Sequence, residues 1–97
     1  MGQKNFERWP PIAWRRSAET VGQMRAANWQ VFAYCRTCHL TVTVDLRVIE
    51  LARGADFSLW NRQAKCRRLG CGGAVEFQGQ PPETHFPFAL RAEWPFP

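Results

Sequence analysis

All four cysteines of the chain fall into two close pairs, Cys35-Arg36-Thr37-Cys38 and Cys66-Arg67-Arg68-Leu69-Gly70-Cys71. The pattern is Cys-x2-Cys, then 27 residues, then Cys-x4-Cys. A tight loop between two cysteines turns both sulfurs toward one point, and two such loops supply four ligands to one tetrahedral ion. Four thiolates favour Zn²⁺ over hard cations, and they also accept iron. With every position filled by protein, no place is left for water or substrate, so the ion is expected to be structural. A chain of 97 residues buries limited apolar surface, and a metal cross-link adds to the stability of such a small fold.

Two other chemistries share part of this pattern. Cys35-Arg36-Thr37-Cys38-His39 matches Cys-x-x-Cys-His, where haem would bond both sulfurs and His39 would be an axial ligand. Against haem, Met1 and Met24 lie upstream, where a sixth ligand is less expected, and the second cysteine pair would be unexplained. Cys-x-x-Cys also serves thiol–disulfide exchange, but such motifs usually open a helix that lowers the thiolate pKa. Here the motif lies between two stretches of strand formers.

The elements that must position the cysteines can be read from local pattern. Trp29–Tyr34 runs into the first pair, and Thr41–Val44 leaves it as an unbroken β-branched stretch. Together they predict a hairpin with the first cysteines at its tip. Asp45 is a candidate N-cap for a helix over Leu46–Arg53, ended by Gly54. A second cap at Asp56 predicts a helix over Phe57–Ala64, with Phe57, Trp60 and Ala64 on one face. Beyond Cys71, Gly72 and Gly73 supply unusual dihedrals, and Ala74–Gln78 reads as a strand. Upstream, Ser17–Asn28 predicts a short helix capped by Ser17, with Val21 and Met24 inward and Asn28 left-handed at its end. Pro10-Pro11 argues against a regular helix over residues 1–16, and five of the seven prolines fall in residues 79–97. The expected organisation is an irregular arm over 1–16, a metal-binding domain over 17–78 and a Pro/aromatic tail over 79–97.

On Cys35, Cys38, Cys66 and Cys71, the flanking strands and Gly70-Cys71-Gly72-Gly73, the chain resembles the zinc-ribbon class over residues 29–78. It is similar to small, functionally uncharacterised bacterial zinc-ribbon proteins in which an Asp-Leu helix, here from Asp45-Leu46, separates the knuckles. The resemblance implies an α+β fold with antiparallel β-hairpins, two to three short helices and one structural zinc. Two departures stand out: the second pair has four intervening residues where ribbons usually have two, and the spacer carries helices. A treble-clef finger also joins two cysteine pairs, but it would start a helix at the second pair, where this chain reads as strand.

The formal charge of +5 is uneven, at +3 over 1–34, +4 over 35–71 and −2 over 72–97. Four thiolates with Zn²⁺ would add −2, which lowers the apparent excess. Arg36, Lys65, Arg67 and Arg68, aided by Arg15 and Arg16, are candidates for contacting DNA or RNA phosphates. The same cations also balance a dianionic metal centre. Trp9, Trp14, Phe86, Phe88, Trp94 and Phe96 sit beside prolines or near the termini and are candidates for a protein partner or homodimer. They also suit a role in enlarging a small core. Among enzyme motifs, no phosphate loop, carboxylate dyad or nucleophile elbow is recognisable, so neither catalysis nor a small-molecule substrate is expected. No apolar run is long enough for a membrane span. Met1–Arg8 has no apolar core of a secretory signal, and a reducing cytoplasmic location is expected.

Overall fold

A computed structural model describes residues 10–92. It is an α+β fold whose helices precede or interrupt one antiparallel sheet. In chain order the elements are α1 (Pro11–Ser17), α2 (Val21–Ala26), β1 (Gln30–Cys35), β2 (Thr41–Val44), α3 (Leu46–Arg53), β3 (Gln63–Lys65), β4 (Ala74–Gln80) and β5 (Phe88–Ala89). Strands run in the order β2-β1-β4-β3, and β5 pairs with β4 beyond the end of β3. Strand β1 is therefore flanked on both sides, and its register with β4 sets Cys35 beside Val75. Among the described residues no helix is long and apolar enough to cross a membrane.

The N-terminal segment departs from expectation. A helix spans Pro11–Ser17, because proline at the first helical position loses an N–H that has no intrahelical partner anyway. Ser17 ends this helix instead of opening the next. The true cap is Thr20, whose hydroxyl accepts from the Gln23 N–H at 3.1 Å while the Gln23 side chain accepts from the Thr20 N–H at 3.1 Å. This reciprocal box starts α2 three residues later than expected. Its end follows the expectation: Asn28 is left-handed at φ 60°, and the N–H groups of Asn28 and Trp29 return to the carbonyls of Arg25 and Met24.

The hairpin and α3 form where the residues predict them. Asp45 caps α3 by accepting from the Arg47 N–H at 2.9 Å, and Gly54 follows its last residue at φ 94°. The second helix expected after Asp56 does not form. Phe57–Arg62 is irregular and Gln63–Lys65 joins the sheet as β3. Its apolar residues serve the core without a helix: Leu59 and Trp60 are both buried from an irregular stretch. The Trp60 indole N–H donates to the Ala18 carbonyl at 2.8 Å. Carbonyls of Ala55 and Phe57 accept from the first N–H groups of α2, so the irregular segment satisfies a helix start.

Trp14, Ala18, Val21, Met24, Trp29, Val31, Leu46, Leu59, Trp60 and Leu90 make one buried cluster, to which all three helices contribute. Trp14 and Trp29 meet edge to face at 5.8 Å, and Phe88 touches both rings. The segment after residue 79 therefore joins the core through Phe88 and Leu90, where a tail without regular core structure was expected. Gly79 permits this: a Cβ there would lie 2.8 Å from Leu90 and 2.9 Å from Trp29.

Candidate metal centre

Each cysteine pair sits on a loop between two antiparallel strands. Cys35 ends β1 and Cys38 lies between β1 and β2, while Cys66 and Cys71 lie between β3 and β4. Backbone bonds close the neck of each loop, Cys35 N–H to Leu40 carbonyl and Cys66 N–H to Gly73 carbonyl, both at 2.9 Å. Pairing of β1 with β4 then brings the two tips together. The four Sγ atoms lie within 4.8 Å of one another, an arrangement that can hold a metal ion. Cys35 Sγ is 3.5 Å from Cys71 Sγ, and Cys38 Sγ is 3.8 Å from Cys66 Sγ. Four sulfurs about 2.3 Å from a common tetrahedral centre stand roughly 3.8 Å apart, so the closest pairs match a ZnS₄ edge. A disulfide would require about 2.05 Å. Cys35 and Cys66 are buried and the other two half-buried, so the cluster is largely closed to solvent.

Both loops use the same two backbone devices. The residue after each second cysteine is left-handed, His39 at φ 60° and Gly72 at φ 67°. N–H groups two residues past a cysteine aim at its sulfur: Thr37 toward Cys35, Arg68 toward Cys66 and Gly73 toward Cys71. Gly73 has a further task. A Cβ there would fall 2.5 Å from Thr37 Oγ1 and 3.2 Å from Cys35 Sγ, so its lack of a side chain lets the two loops meet. The neighbouring Gly72 supplies the dihedral, whereas Gly73 supplies room.

These donors act on the thiols unequally. The Cys38 N–H is the largest influence on Cys35 and, with the Cys71 thiol and the Thr37 N–H, outweighs burial and brings its pKa down to about 6. At Cys71 the Gly73 N–H favours the thiolate, but burial and the three other sulfurs prevail and push the thiol up to about 12. Cys66 is pulled down by the Arg68 N–H, yet burial together with Cys35 and Cys38 raises it overall. One thiolate is stabilised and the next ones are opposed by their neighbours' charge. A divalent cation at the centre would remove that opposition.

His39 lies outside the sulfur cluster, its Nδ1 2.9 Å from the Tyr34 hydroxyl. Around the cysteines, Lys65, Arg67 and Arg68 are exposed and, among the described residues, make no ion pair. Arg36 reaches Glu76 at 3.0 Å. The structure does not bring Arg15 and Arg16 to this group. Trp14 packs on Trp29, just before β1, whereas Cys35 ends that strand, so six residues separate α1 from the metal loops by roughly 20 Å. Arg15 is engaged with Glu19 and the Ala92 carbonyl, and Arg16 is exposed on α1. Of the aromatic candidates, Trp14 and Phe88 are core residues, and Phe86 is 76% exposed. Trp9, Trp94 and Phe96 lie outside the described residues.

Three features near the site were not singled out in sequence. Leu69 is 98% exposed at the tip of the second loop. Glu76 is buried under Arg36 and Arg91, which approach its Oε1 at 3.0 and 3.6 Å. Asn61, Arg62, Gln63 and Arg91 line an open cleft of about 480 Å³. Alternation in Gln30–Cys35 sends Phe32 and Tyr34 to the face opposite Val31. Comparison of the chain with protein-family models, curated proteins and solved structures finds no match.

Proposed function

We propose that this protein is a zinc-ribbon-like domain in which Cys35, Cys38, Cys66 and Cys71 hold one structural Zn²⁺, and that it associates with nucleic acid. The observation that carries the metal reading is the convergence of all four sulfurs, with closest separations of 3.5 and 3.8 Å. Four protein sulfurs complete a tetrahedral shell, so the ion organises the fold and does no chemistry on a substrate. Support for nucleic acid comes from the second loop and the strand that feeds it. Arg62, Lys65, Arg67 and Arg68 follow one another with no acidic residue between them, and all four are exposed. Phosphate contacts need such cations, and binding through them weakens steeply with salt.

Gel-shift titration of the zinc-loaded protein against DNA and RNA at several salt concentrations tests this reading. Salt-dependent binding that Arg67→Gln and Arg68→Gln together reduce is the expected result. No binding at low salt would reject the nucleic-acid role and leave the metal assignment standing. A protein-docking role has its own support in the outward side of α3, where Val48 and Leu51 are 60% and 84% exposed. Concentration-dependent sedimentation reversed by Leu51→Lys would favour that second reading.

A further inference from the structure

We infer that the ligand is single-stranded nucleic acid, bound across the sheet face opposite the buried cluster; this rests on the nucleic-acid reading above. Strand pleating and the pairing register place Phe32 and Tyr34 of β1, Glu76 and Gln78 of β4, and Gln63 and Lys65 of β3 on this face. Val31, Val44 and Phe77 point the other way, toward the core. Phe32 and Tyr34 are half-buried, two positions apart on a strand paired on both sides. Rings so placed offer flat apolar surface on a rigid support, which suits base stacking.

Charge decides what such a face attracts. Its one carboxylate, Glu76, is met by both Arg36 and Arg91, so the pair of arginines leaves a positive surplus there. Lys65 on the same face and Arg62 at the rim add to it. The open cleft lined by Asn61, Arg62, Gln63 and Arg91 has, at about 480 Å³, the volume to seat a phosphate with its sugar. Amide groups of Gln63 and Gln78 can bond base edges once bases lie on the sheet.

Spacing then favours a single strand over a duplex. Residues two apart on a strand stand about 6.6 Å from each other. Stacked bases in a duplex rise only about 3.4 Å per step, so consecutive bases reach both rings only when the strand is unstacked and splayed. Neither an α-helix nor a narrow ribbon is offered here for insertion into a major groove.

The experiment is fluorescence anisotropy of zinc-loaded protein with oligo(dT) and oligo(U) 12-mers and with a duplex of equal length. Single strands are expected to bind at least tenfold tighter than the duplex. Tyr34→Leu keeps an apolar strand residue and is expected to weaken single-strand binding about tenfold, within the range for one lost stacking contact. Lys65→Gln is expected to flatten the salt dependence by about one phosphate contact. Photocrosslinking with 4-thiouridine in the oligo(U) provides a readout independent of folding defects, and the adduct is expected on Phe32 or Tyr34. Equal or tighter duplex binding, or adducts confined to Arg67–Leu69, would overturn the single-strand inference while the nucleic-acid reading survives. Absence of binding to all three probes would overturn both.

Discussion

At one end of β1, Cys35 meets three other sulfurs; at the other, Trp29 meets Trp14, Phe88 and the gap left by Gly79. The tryptophan end is held by packing, which is nondirectional and tolerates modest repacking. The sulfur end has two loops, little apolar burial and two thiols, Cys66 and Cys71, whose ionisation is opposed by burial and neighbouring sulfurs. Strands β1 and β4 run through both ends, so neither can melt without disturbing the other. A glycine sits at each contact for the same reason, room for neighbours: Thr37 and the Cys35 sulfur at Gly73, Leu90 and the Trp29 ring at Gly79.

This contrast can be broken most severely at the sulfurs. Cys38→Ser leaves three thiols, and apparent binding free energies for structural zinc run to about 10–16 kcal/mol. That exceeds or matches the roughly 5–15 kcal/mol by which a small domain is stable, so loss of cooperative thermal unfolding is expected by calorimetry. A sharp transition near the wild-type temperature would place the stability in the core alone. Trp29→Ala should rank second, costing about 3–5 kcal/mol in denaturant unfolding while the protein still takes up one equivalent of metal.

The two glycines sharpen the comparison further. Gly73→Ala and Gly79→Ala should each cost about 1–3 kcal/mol, since each Cβ would collide with a packed neighbour. Only Gly73→Ala is expected to weaken zinc in a chelator competition, because only that Cβ approaches Cys35 Sγ and Thr37. Equal chelator resistance in both variants would mean that the loops adapt freely. The smallest effect should come from His39→Gly. It relieves a left-handed non-glycine residue, worth about 1 kcal/mol, and gives up the bond to Tyr34. Thermal unfolding is expected to shift upward by a few degrees at most, and a large destabilisation would show that His39 does more than fill a turn.

How much of this was legible in the residues follows the same division. The cysteine spacing, the hairpin over β1 and β2, and α3 between Asp45 and Gly54 are local signals, and they are found where the residues put them. At the tryptophan end local signals competed. Pro10-Pro11 reads as a helix breaker although proline fits a helix start, and Ser17 masked the Thr20-x-x-Gln23 box that caps α2. Phe57, Trp60 and Ala64 mimic a helical face, but Trp60 is held by a bond to Ala18, 42 residues away, and the chain continues as β3. Pairing of Phe88 with Gly79 likewise depends on tertiary contact, which no short window reveals. At the sulfur cluster, spacing pointed to the four cysteines that converge, whereas the surplus of arginine around Glu76 emerged only when β1, β4 and Arg91 came together.

The measurement that bears most directly on the central claim is native mass spectrometry of the purified protein, paired with near-ultraviolet circular dichroism before and after chelation. One zinc per chain, loss of the tryptophan near-ultraviolet signal when zinc is removed and its return on zinc addition are the expected results. A chain that carries no metal, or one whose near-ultraviolet spectrum is unchanged after complete metal removal, would contradict a fold held at one end by four sulfurs and an ion.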